Sequence, residues 1–99
     1  MVTRYVFVKL SDPHSHAAGR AEAAQAIRDA LAQVPQVQAA RVGVCADEPA
    51  TRAWDIGLQV TLASLDDVPG YLAHPAHRAV VDDYLKPRLA CLKAWNFTP

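Results

Sequence analysis

The spacing of apolar residues along the chain switches between a period of two and a period of three to four, and each switch marks an element. "TRYVFVKL" (3–10) is dominated by β-branched and aromatic residues and predicts a strand. Val6, Val8 and Leu10 lie on one face; Tyr5, Phe7 and the stem of Lys9 lie on the other, so both faces are apolar. "SDPHSH" (11–16) is a turn broken at Asp12–Pro13. From Ala17 to about Val34, Ala24, Ile27, Leu31 and Val34 recur at helical steps while Arg20, Glu22, Arg28 and Asp29 fall elsewhere on the wheel. Pro35 ends this helix. "VQAARVGVCA" (37–46) predicts a second strand and "DEPATR" (47–52) a connecting loop. "AWDIGLQVTL" (53–62) predicts a third strand with Trp54, Ile56, Leu58, Val60 and Leu62 on one face.

Ser64 with Asp67 three residues on resembles a capping box, and Pro69 and Gly70 interrupt the helix it opens after little more than a turn. His74–Pro75 restarts the helix, because proline is tolerated at a first helical position. Val80, Val81, Tyr84 and Leu85 then form an apolar stripe, Pro87 closes the helix, and "LACLKAWNF" (89–97) predicts the last strand. Strand, helix, strand, strand, helix, strand is the order of a ferredoxin-like βαββαβ fold, class α+β, in one domain spanning residues 1–99. Both helices cover one face of its antiparallel sheet. Tyr5 and Phe7 on the other face need a cover, and a second copy related by a twofold axis supplies it. The expectation is a homodimer whose two sheets enclose a shared α/β barrel.

Composition narrows the function classes. Hydrophobic residues are 52% and charged residues 20% of the 99, the signature of a folded domain with a modest core. Ten basic residues balance ten acidic ones. No basic stripe marks a nucleic-acid partner, and no apolar run reaches the roughly 18 residues of a membrane span. "MVTRYVFVKL" is too short and too mixed for a signal peptide, so a cytoplasmic protein is expected. Cys45 and Cys91 lack metal-site spacing and read as two free thiols. His14 and His16 form an H-x-H pair without an acidic third ligand, so no metal is assigned.

The concentrated chemistry is in "GYLAHPAHRAVVDDYLKP" (70–87). A break at residues 73–75 lets Tyr71, from the end of one helical piece, approach His77 in the first turn of the next. A histidine near a helix N-terminus has its pKa lowered by the dipole and stays neutral near pH 7, as a general base must. The plain alternative makes His74 a helix cap, Tyr71 a half-buried aromatic and His77 a surface residue.

Y-x-x-H-P-x-H, the opening "VFVKL", "WDIGLQVTL" and the ending "WNFTP" together resemble the Dabb family, the stress-responsive dimeric α/β barrels, over nearly the whole chain. The resemblance implies the same fold and a tight dimer. Within the family the motif is similar to that of olivetolic acid cyclase, which performs a cofactor-free aldol cyclisation of a poly-β-ketide. That similarity implies catalytic roles for Tyr71 and His77, no cofactor, and a substrate site including His74, Arg4, Ala24, Ile27 and Ile56. Arg4 and Ile56 stand where the cyclase has histidines, and Ala24 and Ile27 where it has aromatic residues. The dyad therefore carries over and the substrate does not: a small apolar or ketide-like ligand is all that is implied. An inward Arg4 would favour an anionic substrate or product such as a carboxylate; the plain alternative is a strand-edge arginine in water.

Overall fold

The computed structural model describes residues 1–99. Its order is β1 (Val2–Leu10), α1 (Ala17–Leu31), β2 (Ala39–Val44), α2 (Glu48–Ala53), β3 (Ile56–Leu62), α3 (Val68–Ala73), α4 (Pro75–Arg78), a π-helical segment (Ala79–Leu85) and β4 (Leu89–Phe97). The four strands form one sheet in the order β2-β3-β1-β4, all pairs antiparallel. This is the ferredoxin-like arrangement expected from the pattern.

The two faces of the sheet differ as the alternation of β1 requires. Val2, Val6, Val8 and Leu10 are buried beneath the helices, together with Ile56, Leu58, Val60 and Leu62 of β3. Ala23, Ile27, Ala30, Leu31 and Val34 cover them from α1 and its C-terminal turn. The opposite face is aromatic and open. Tyr5 meets Phe97 edge to face at 5.6 Å, and Phe7 lies between Trp54 at 5.7 Å and Trp95 at 6.4 Å. Trp95 is 49% and Phe97 56% exposed.

Three local expectations are corrected. "DEPATR" is a short helix, because the Asp47 side chain accepts a hydrogen bond from Ala50 N at 2.8 Å and a proline occupies the first turn. Pro69 likewise opens α3 instead of interrupting it, after a 3₁₀ turn capped by Ser64. Trp54 leaves the face of Ile56 and packs on Phe7, since the alternation breaks where Asp55 turns inward.

That inward aspartate is the one buried charged residue, with 0% exposure. Its carboxylate accepts from Leu10 N at 2.8 Å, Ser15 Oγ at 2.7 Å and Arg20 Nε at 2.9 Å, and pairs with Lys9 Nζ at 3.2 Å. Burial opposes its ionisation, but these four partners outweigh burial and hold its pKa at about 2. Lys9 also donates to Thr51 O at 2.9 Å, so the cluster ties β1, α1, α2 and the start of β3 together. His16 caps α1 by accepting from Gly19 N at 3.1 Å. Glycine is required there because a Cβ would collide with the His14 carbonyl oxygen. No group of three or more His, Cys, Asp or Glu side chains is placed to hold a metal ion.

Candidate functional site

Tyr71 and His77 meet because proline makes the helix restart. The residue before a proline is pushed out of the α region, and His74 sits at φ −59°, ψ 136°. Its Nδ1 accepts from Ala76 N at 3.1 Å, capping α4. One turn later, the His77 ring faces the Tyr71 ring with centroids 4.6 Å apart and planes at 52°. His77 Nδ1 lies 3.1 Å from the Leu72 carbonyl oxygen. A carbonyl can only accept, so Nδ1 carries the proton, and in the neutral ring Nε2 keeps a free lone pair.

Both rings line a cavity of about 210 Å³ between sheet and helices, with twelve of its fourteen lining residues hydrophobic. Its floor is Val6 and Val8 of β1, Leu58 of β3, and Leu92 and Ala94 of β4. Ile27 and Leu31 reach it from α1. The π-helical segment supplies Val80, Val81 and Leu85, its wider turn bringing residues five apart onto one face. Arg4 closes the lining at one end of β1 and donates from Nη1 to Asn96 Oδ1 at 3.0 Å.

This environment sets the ionisation of the pair. Burial lowers the His77 pKa below its usual value. The Leu72 hydrogen bond and Asp82 oppose that shift, while Arg4 and His74 add to it. Burial is the main cause of the shift. Burial also raises the Tyr71 pKa, with Arg4 pulling weakly the other way. At neutral pH the site therefore presents a neutral imidazole beside a protonated phenol that is only 2% exposed. Such a pair can accept a proton at one atom and donate a hydrogen bond from another.

Of the residues expected at the site, Tyr71, His77, Arg4 and Ile27 line the cavity. His74, Ala24 and Ile56 do not. His74 is spent capping α4, while Ala24 and Ile56 are closed into the core at 1% and 0% exposure. Pattern reading passed over the Leu72 carbonyl, which orients His77, and the inward positions Leu92 and Ala94. The alternation of β4 carries the signal for the latter two; nothing in the sequence marks a backbone carbonyl.

No curated protein matches the chain. Among solved structures, a dimeric protein of unknown function and ferredoxin-like fold from Bacteroides fragilis is similar at 22% identity. Its TM-score is 0.81, and the match covers 99% of this chain and 95% of that one. A ferredoxin-like Dabb protein from Mesorhizobium loti is 20% identical with TM-score 0.74, over 99% and 95% of the two chains. The hydroxynitrile lyase of Passiflora edulis is 13% identical with TM-score 0.76, over 97% and 90%. At these identities the likeness concerns the fold. The family model of the stress responsive A/B barrel domain matches residues 2–97, almost the whole length, and the chain belongs to that Dabb family.

Proposed function

We propose that this protein holds a small apolar molecule in the cavity and that Tyr71 and His77 move protons on it without a cofactor. The observation carrying this reading is the pair itself. A neutral imidazole, held by the Leu72 carbonyl with Nε2 free, stands 4.6 Å ring to ring from a buried phenol at an apolar wall. His77 removes a proton α to a carbonyl, and Tyr71 hydrogen-bonds the oxygen as enolate charge develops. Polyketide-cyclase-like aldol cyclisation, isomerisation and lyase steps share this core. A similar fold in Passiflora edulis belongs to a lyase.

We also propose that the working form is a cytoplasmic homodimer. The aromatic sheet face supports the pairing, as do similar structures of dimeric proteins. The unpaired Cys45 and Cys91 fit a reducing compartment. Sedimentation showing only monomer at micromolar concentration would remove the dimer.

A second, non-catalytic reading has its own support: His77 braces Leu72 and packs on Tyr71, so both rings also hold the helix junction together. Deuterium exchange at the α-carbon of a simple aryl ketone in D₂O separates the two. The wild type should accelerate exchange, and His77→Ala should lower that acceleration by about a hundredfold or more. A ketone that binds while exchanging at the buffer rate would establish the second reading.

A further inference from the structure

The cavity lining is chemically lopsided. Apart from Tyr71, its polar members are His77 and Arg4. Arg4 faces inward because it shares the strand parity of Val2, Val6 and Val8. Arg4 is half-buried and its partner Asn96 is exposed, so the guanidinium sits where the apolar wall meets solvent. The carboxylates engaged in ion pairs here are committed elsewhere: Asp55 to Lys9 and Arg20, Asp82 to Arg78 and Lys86. Arg4 has instead a neutral partner, the Oδ1 of Asn96, its cross-strand neighbour on β4. That bond fixes one arm of the guanidinium and leaves the rest of a planar fork whose geometry fits a carboxylate.

From this we infer that the ligand is a monocarboxylate: its anionic group is bound by Arg4, and its apolar body, about one ring in size, lies along Val6, Val8 and Leu92. The inference rests on the cavity reading above and gives it a substrate class. Val8 lies four residue steps along β1 from Arg4, about 13 Å of strand, so the cavity has a cationic end and an apolar end. Size sets the second limit. An apolar cavity of roughly 150 Å³ holds a benzene ring, and 210 Å³ leaves room for a carboxylate beside it. A single guanidinium beside a neutral imidazole balances one negative charge, which favours a carboxylate over a phosphate dianion. Arg4 is also the cation whose charge reaches both Tyr71 and His77. The carboxylate would therefore sit near the proton-transfer pair, and the reacting carbon would be close to it.

Benzoate and benzamide have the same heavy-atom count and nearly the same shape, and differ in charge. Titrated into ¹⁵N-labelled full-length protein, benzoate should bind at least tenfold more tightly than benzamide. Arg4→Gln should erase that preference by weakening benzoate alone, and Arg4→Lys should restore part of it, since it returns the charge without the fork. Equal binding of the two probes by the wild type, or a benzoate preference that survives in a folded Arg4→Gln, would overturn the inference and leave the cavity reading intact. Failure of both probes to bind would overturn the two together.

Discussion

Two regions of this small domain set charged groups beside apolar side chains, Asp55 fully buried and Arg4 half-buried, and they treat them in opposite ways. Around Asp55, every demand is met inside the protein: a backbone amide, a serine hydroxyl, an arginine and a lysine surround one carboxylate. In the cavity, Arg4 has a single neutral partner and His77 keeps one nitrogen free. Saturated polar clusters rigidify a fold, whereas open ones leave binding energy for a ligand. Asp55 should therefore matter for stability and the cavity groups for binding, and substitutions can break that division.

The largest effect is expected at Asp55. Asp55→Asn leaves Lys9 and Arg20, both mostly buried, without their counter-charge. Losing one partner of such a cluster costs about 3–5 kcal/mol, which lowers Tm by at least about 12 °C in a domain of this size. Benzoate binding measured well below the lowered Tm should be unchanged, because Asp55 does not line the cavity. A Tm shift under about 4 °C would mean that the cluster is replaceable, and the division would fail.

The acid limb of stability follows next. Asp55 ionises at about 2 in the folded protein against an ordinary 3.8. Between those values the unfolded chain holds the extra proton, so stability rises with pH across the window. It is fully present above 3.8 and is lost as pH falls toward 2. The shift corresponds to roughly 2 kcal/mol. Urea unfolding between pH 5 and 2 should show this loss in the wild type, and Asp55→Asn should flatten it.

The same contrast explains what could be read from the sequence. Both faces of β1, the covering stripe of α1 and the limits of the last strand are periodic features, and periodicity led to the fold and to the unpaired aromatic face. The Tyr71–His77 approach was legible because Pro75 pushes His74 out of the helical region and so restarts the helix between the two residues. Asp55 was not. It sits where strand alternation stops, and its four partners come from Lys9, Leu10, Ser15 and Arg20, brought near only by the pairing of β1 with β3. His74, Ala24 and Ile56 show the converse: a position can correspond to a relative's site while its side chain here caps a helix or is closed into the core.

The smallest effect is the most direct probe of the open region. His77 should titrate below 6.5 in an NMR series, and the direction of each neighbour's influence is set by its charge. Arg4→Gln removes a cation that disfavours the imidazolium, so the His77 pKa should rise. Asp82→Asn removes an anion that favours it, so the pKa should fall, although Asp82 is already shared between Arg78 and Lys86. Burial, the main cause, is untouched by either change, so His77 should stay below 6.5 in both. Stability follows the same sign: the unfolded chain binds this proton first, so stability drops as pH falls from 6.5 toward the folded value and then levels. If Arg4→Gln leaves the His77 titration unmoved, Arg4 does not reach the pair, and the cationic end of the cavity is separate from its proton chemistry.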